Sequence, residues 1–445
     1  MIPPKPATRP EKVSRLRYLR LFRSDILSAQ PAKLYRAWMA EFKTPFFRSY
    51  LCNDPALVRR VLEERPKDFP KSERVTAGLQ PLLGRSVFVT SGEEWERQRR
   101  IIDPAFEGGR LREMIPAMVA AGQGAAGRMP LGVVEVEEQA SHAAADVIFR
   151  ALFSIPIESE TASRVFKAFR KHQRAQPILN VRAFLPRLPG FHGRKVKNTA
   201  MAIRALIKDM VDERVAQIAA GTAPDDLATR IITTPDPLTG ECFTPAEMVD
   251  QVAIFFLAGH ETSAAVLAWG LYLLAIFPDA QAKVAAEALT LPENPTMSDL
   301  SKLRFTRDVF RETLRLYPPV AMMVRQNVQT EDFRGRQAPV GSQVVLSPWH
   351  LHRHERMWDN PDGFDPDRWT RDENKQSARD AYLPFSAGPR VCTGAGFAMA
   401  EGVLLLAMLI RSFQFAPEGP PPVPVANLTV RSRAGIWLRV APRSK

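Results

Sequence analysis

Cysteine is scarce in this chain. Cys52, Cys242 and Cys392 are the only three in 445 residues, and no two form a CxxC pair. That excludes a zinc knuckle and a thioredoxin-like motif. An odd, widely spaced set also argues against a disulfide framework and for a reducing, cytoplasmic setting. Long apolar runs are missing too. The best candidate, Val252 to Phe277, is interrupted by Gly259, His260, Glu261, Thr262 and Ser263, so it falls short of the ~18 consecutive apolar residues of a membrane span. A Glu in mid-bilayer is costly, so the stretch reads as a buried core helix with a polar break, and no transmembrane anchor is expected. Met1 to Pro10 carries several prolines and no apolar leader core, so no secretory signal is expected. No Gly/Ser linker, low-complexity block or fixed-period repeat divides the chain, which points to one large domain.

Acidic residues fall short of basic ones, leaving a net charge of +13. Nucleic-acid binding would need a concentrated basic stripe or a known module, and neither is present. Lys12 to Arg23 is basic, with Leu16, Leu19 and Phe22 at helical spacing. It reads as an ordinary surface helix, with a weak membrane-surface contact as the alternative.

What the chain does have is apolar content, 45% of residues, enough for a large core. The spacing predicts a short strand over Phe46 to Leu51, with Asp54 capping a helix through about Glu64. Further helices are predicted from Trp95 to Ile102, through a helix-rich stretch to about Ala220 broken at Pro177 to Pro189, from Pro245 to Phe277, from Thr306 to Leu316, and from Gly396 to Ile410. Gln343 to Leu346 and Leu428 to Val440 are rich in β-branched residues and suggest small sheets. The fold class is therefore mainly α with small β-sheets.

The most informative segment is Phe385-Ser386-Ala387-Gly388-Pro389-Arg390-Val391-Cys392-Thr393-Gly394. A single Cys stands between two glycines just before a helix-forming run. Gly388 permits a sharp turn, and Gly394 lets the backbone approach a flat ligand. A thiolate there is expected to be stabilised by backbone N–H groups and the helix N-terminus. Arg390 is placed to pair a carboxylate bidentately. A buried structural Cys is the bland alternative. However, Phe, Gly, Arg, Cys and Gly at this spacing arise by chance in roughly one unrelated chain in ten thousand.

This loop resembles the haem-binding loop of the cytochrome P450 family. The resemblance implies a cytochrome P450 haem domain over 41–445, preceded by an N-terminal segment, 1–40, with the basic amphipathic helix. It implies that Cys392 is the iron ligand of a haem b (iron protoporphyrin IX). Four other stretches agree. In Glu312-Thr313-Leu314-Arg315 the acid and base share a helix face; with Arg368 of Phe364-Asp365-Pro366-Asp367-Arg368-Trp369 they resemble the family's buried structural network. Asp367 and Trp369 depart mildly from its usual wording. Ala258-Gly259-His260-Glu261-Thr262 resembles the oxygen-activation motif, which implies that Glu261 and Thr262 deliver protons to oxygen. On residues alone, Thr262 is equally well read as bonding back to a carbonyl one turn earlier, or the break as widening the helix to admit water. His260 reads as packing or surface polar. Trp95 and Arg99, four apart on one helix face, together with Arg325 and Arg390, are implied donors to the haem propionates.

His350, His352 and His354 alternate, and on a strand would share a face. With no carboxylate cluster beside them, a metal site is not expected. Asp225-Asp226-Leu227 is similar to a family turn and is given no chemistry.

The resemblance implies insertion of one oxygen atom from O2 into a C–H bond of a lipophilic small molecule. NAD(P)H would act indirectly through a separate redox partner, an acidic ferredoxin or similar donor steered by the basic surface, onto a monomeric enzyme. Lys71 to Thr90 and Pro177 to Phe191 are expected to cap the pocket, supplying apolar residues such as Leu79, Leu82, Leu83 and Val87. Two rivals are a haem-thiolate enzyme working with peroxide or by rearrangement, and a non-catalytic haem or lipid binder.

Overall fold

The computed structural model describes residues 1–44, 47–107, 109–175 and 193–443. The proline-rich break and the second capping stretch expected from Pro177 lie outside these residues.

Twelve longer helices dominate: α1 (Arg15–Ser24), α2 (Glu73–Leu83), α3 (Gly92–Ile102), α4 (Arg110–Arg128), α5 (Val136–Phe153), α6 (Glu160–Ala175), α7 (Arg194–Ala219), α8 (Leu227–Thr233), α9 (Pro245–Ile276), α10 (Pro278–Leu289), α11 (Arg304–Leu316) and α12 (Ala395–Ser412). The centre is α9. Thr244 and Glu247 start it with a reciprocal capping box, the Thr hydroxyl taking the Glu247 N–H at 3.2 Å and the Glu carboxylate taking the Thr244 N–H at 2.8 Å. Pro245 at its first turn needs no N–H partner. Most of the helix is buried all round, which marks the middle of a large core rather than an amphipathic surface. Gly259 lets α5 cross closely: a Cβ there would fall 2.5 Å from Ile148 Cγ1. Both helices long and apolar enough to cross a membrane, α9 and α12, are packed inside the protein over much of their length.

The strands form small sheets at the margins. The four-stranded sheet runs β1 (Met39–Lys43), β2 (Arg48–Cys52), β7 (Gln343–Leu346) and β4 (Met323–Gln326), with β2 and β7 parallel, Tyr50 beside Val344. The three-stranded sheet is β3 (Gly132–Glu135), β11 (Trp437–Pro442) and β8 (Phe413–Pro417). Hairpins β5 (Glu331–Phe333) with β6 (Arg336–Ala338), and β9 (Pro424–Ala426) with β10 (Val430–Ser432), complete the set. The first strand therefore sits two residues later than its pattern suggested, and the Leu428 to Val440 stretch is divided between two sheets.

The N-terminal segment is strapped to the body. Tyr317 donates its hydroxyl to Pro4 O at 2.8 Å, and the Arg9 Nε donates to Ala29 O at 2.7 Å. Tyr317 in turn stacks on Trp269 of α9, ring centroids 3.9 Å apart.

Candidate active site

The Cys392 loop is shaped by Gly388. Its φ of +67° suits only glycine comfortably, and a Cβ would lie 1.9 Å from the Leu62 carbonyl oxygen. Cys392 donates its N–H to Phe385 O at 2.9 Å and leads directly into α12. The residue is solvent-accessible, yet protein crowds its sulfur, and burial raises the thiol pKa against the opposing pull of the Gly394 N–H and Arg99. The loop therefore supplies the expected N–H donor, but desolvation outweighs it in the protein by itself. This corrects the expectation of a thiolate stabilised by the loop alone.

Cations converge beside the loop. Arg325, on β4, is buried and its guanidinium pKa falls to about 10 because water is stripped from it. Arg390 falls to about 10 through burial and the charges of Arg325 and Arg99. Its Nη2 donates to Thr90 O and Ser91 Oγ, both at 3.1 Å, while its Nη1 is buried with no partner. Lys71 is pulled well down by burial and by Arg325 and Arg390, and its ammonium caps the Phe88 ring at 3.4 Å. Trp95 lies under Arg390 at 4.2 Å and near Arg99 at 5.7 Å. Arg99 is more occupied than expected, pairing Asp103 at 2.8 Å and donating to Val391 O at 2.9 Å.

Among the described residues, none of Lys71, Arg325 and Arg390 has an ion-pair partner. A buried cation cluster without its anion is costly. A haem b carries two carboxylates, so the donor set and the orphaned Arg390 Nη1 fit its propionates. Lys71 was not legible in sequence. Its place comes from backbone pairing with Arg325, where Gln326 N donates to Pro70 O at 3.0 Å.

On α9, Thr262 donates to Ala258 O at 2.6 Å. Of the readings left open for this polar break, the hydroxyl's bond one turn back is the one observed. The helix is continuous here, so the widened-helix alternative is not seen. Glu261 is buried. Its Oε2 accepts from Thr429 Oγ1 at 3.2 Å and lies 3.0 Å from Arg431 Nη2; its Oε1 has no partner. His260 is buried against Ser141 Oγ at 2.8 Å, its pKa pushed down to about 4 by burial. One residue past Thr262, Ser263 donates to Glu401 of α12 at 2.6 Å. The helix with the acid and alcohol is thus locked to the helix that follows Cys392. Glu401 is itself a residue the sequence reading missed; burial raises its pKa to about 8.

Gly84 to Val87 is tied to the same helix: Asp250 accepts the Arg85 N–H at 2.7 Å and pairs Arg204 of α7 at 2.6 Å, while Gln251 accepts the Val87 N–H at 3.0 Å. A separate open groove of about 900 Å³, lined by residues such as Arg112, Val119 and Met297, contains none of the site residues.

Glu312, Arg315 and Arg368 meet, all nearly free of water. Arg315 grips Glu312 through two bonds of 2.9 and 2.7 Å and donates to His352 O, Pro361 O and Gly363 O. Arg368 Nε reaches Glu312 Oε1 at 3.4 Å and donates to Asp359 O and Asn360 O. Each guanidinium satisfies several carbonyls as well as the carboxylate, which is the condition for a stable buried ion group.

The three alternating histidines are not on a strand. Ser347 caps a helical turn, Pro348–Leu351, and the rings separate. His350 bonds Ser347 Oγ at 2.8 Å, His352 takes the Leu383 N–H at 2.8 Å, and His354 stacks on Trp38.

Comparison with known proteins follows this geometry. The family model described as Cytochrome P450 matches residues 35–437. The chain is 32% identical to cyclooctat-9-en-7-ol 5-monooxygenase of Streptomyces melanosporofaciens, over 83% of this chain and 81% of that protein. It is 30% identical to pentalenene oxygenase of Streptomyces avermitilis, over 89% of this chain and 88% of the relative. The crystal structure of the cytochrome P450DA heme domain superposes with a TM-score of 0.83 at 25% identity, covering 100% of this chain and 98% of that one. With the family model spanning nearly the whole chain, the protein belongs to the cytochrome P450 family of monooxygenases.

Proposed function

We propose that this enzyme inserts one oxygen atom from O2 into a C–H bond of an apolar small molecule, drawing electrons from a separate donor. The observation that carries the reading is the uncompensated cluster of Lys71, Arg325 and Arg390 beside the Cys392 loop, a charge pattern that calls for a dianionic cofactor. Arg325, Arg390 and Lys71, with Trp95 and Arg99 beside them, would hold the haem propionates, and Cys392 would be the axial thiolate. When bound, the haem supplies O2 activation.

The chain's own groups do the rest. Thr262, whose hydroxyl now rests on Ala258 O, is the alcohol that presents a proton at the pocket face of α9. Glu261, adjacent and buried, is the acid that restores it. Glu312, Arg315 and Arg368 fix the chain beneath the site without touching the chemistry. Leu79, Leu82, Leu83 and Val87 supply the apolar side of the pocket, held to α9 through Asp250 and Gln251. An apolar lining selects a lipophile, and two relatives are named for cyclooctat-9-en-7-ol and pentalenene.

The basic surface, net +13, favours an acidic ferredoxin as donor, with NAD(P)H upstream. We assign the enzyme to the cytoplasm as a monomer, with 1–40 as a packed N-terminal segment of the 41–445 haem domain. The test is spectral. Carbon monoxide added to the reduced protein gives the thiolate signature, and Cys392→Ser loses it. An unchanged spectrum in that variant refutes the assignment. NAD(P)H-coupled turnover exceeding peroxide-driven turnover separates this reading from the peroxide alternative.

A further inference from the structure

Glu261 faces away from the alcohol beside it, into a second polar cluster. Residues Thr429 to Ser432, at the edge of β10, gather two carboxylates from two different helices. Glu261 of α9 is held through Thr429 Oγ1 at 3.2 Å and Arg431 at 3.0 Å. Glu137, in the first turn of α5, accepts the Ser432 N–H at 2.9 Å. A third acid, Glu135, is already committed to backbone. Its two oxygens take the N–H groups of Glu137, Glu138 and Ile436 at 3.0, 2.9 and 3.1 Å. Arg431 is the single cation acting on both Glu137 and Glu261, and Glu261 Oε1 is buried with no partner.

Two enclosed carboxylates sharing one guanidinium cannot both ionise without a large penalty, so the cluster keeps one proton at neutral pH. We propose that Glu137 is a positioning residue that stores the proton passed to Glu261, with Arg431 shared between the two carboxylates. The inference rests on the reading of Glu261 as the acid that serves Thr262.

The transfer balances simply. The Glu137 carboxylic acid gives its proton to the Glu261 carboxylate, leaving Glu137 ionised, and Glu137 then takes a proton from solvent water. The outer end of the cluster allows this: Glu137 is only partly buried and the Arg431 side chain keeps 25% of its exposure. Burial, opposed by Arg431 and the Ser432 N–H and aided by Glu135 and Glu261, brings Glu137 up to about 7. His260, the remaining ionisable group against Glu261, stays neutral because burial holds it near 4.

The experiment uses the full-length haem-loaded protein, with infrared absorption of protonated carboxyl groups followed against pH. The parent shows a carboxyl that titrates near neutrality, absent from Glu137→Gln, whose amide oxygen still accepts the Ser432 N–H. A second carboxyl, Glu401, stays in both. Glu261→Gln lowers the Glu137 midpoint and Arg431→Met raises it, each by about one pH unit. Product-coupled turnover of the parent falls about 10-fold from about pH 6 to about pH 8 as one group empties, whereas Glu137→Gln is slow and flat across the range.

The proposal is overturned if Glu137→Gln leaves the carboxyl titration and the pH profile unchanged, or if Glu261→Gln does not move the Glu137 midpoint. If Glu137→Gln does not fold, the opposite shifts in the other two variants decide. Loss of the thiolate signature in the parent would instead sink the reading of the haem site, and the carboxyl titration would still report the coupling.

Discussion

Arg325→Met separates the cost of the cation cluster from its use. In the protein without cofactor, burial lowers the Arg325 pKa from 12.5 to about 10, so keeping it charged opposes folding by about 3 kcal/mol. The sign follows from a base whose folded pKa is depressed: the penalty is complete below about pH 10, hence at neutral pH, and fades only above it. Methionine fills the same slot without charge. The apoprotein should therefore gain about 3 kcal/mol at most, or about 3 °C in Tm for a chain of this size. Haem retention should move the other way. Losing one charge-assisted hydrogen bond to a propionate costs about 1.5–3 kcal/mol, or about 10- to 100-fold faster haem loss, measured by capture with excess apomyoglobin. Urea unfolding of the apoprotein, followed by circular dichroism, gives the first quantity. A less stable apoprotein with unchanged haem retention would refute the reasoning, because Arg325 would then be a structural cation with a partner of its own.

Glu312→Gln leaves two buried guanidiniums without their carboxylate and should cost about 3–5 kcal/mol in urea unfolding; a loss under about 1 kcal/mol would show the carbonyl bonds alone suffice. Glu401, raised from 4.5 to about 8, is a buried acid that favours the folded state while protonated. Stability should thus decline as pH climbs from the ordinary Glu value through about pH 8, and Glu401→Gln should flatten that decline in pH-dependent melting curves. Gly388→Ala forces a Cβ onto the Leu62 carbonyl, and haem content per chain after purification should fall sharply. Thr262→Val keeps the fold but should cut coupled turnover about 100-fold while O2 consumption continues; equal losses of both would point to misfolding.

Much of the helical frame was legible locally. Thr244 with Glu247 and Pro245 announces the start of α9, and Asp54 caps its helix as read, taking the Ala56 N–H at 3.0 Å. The Glu312 and Arg315 spacing placed both on one face because three residues make nearly one turn. The histidines misled because alternation was weighed above a capping signal that was also present, Ser347 followed by Pro348. Lys71 was out of reach for a different reason: its position is set by a strand segment some 250 residues away. The same holds for Glu137 and Arg431, ordinary charges in sequence that become neighbours only when α5 and β10 flank α9. The crowding of Gly388 by Leu62 is likewise invisible in a loop read by itself.

The cation cluster draws on positions 71, 325 and 390, so it does not exist until nearly nine-tenths of the chain has left the ribosome. Earlier, Lys71 and Arg325 stand as repelling charges with nothing to hold. Cofactor capture is consequently a closing event of biosynthesis, and supply of the pigment, more than chain elongation, governs how many finished molecules survive surveillance by proteases.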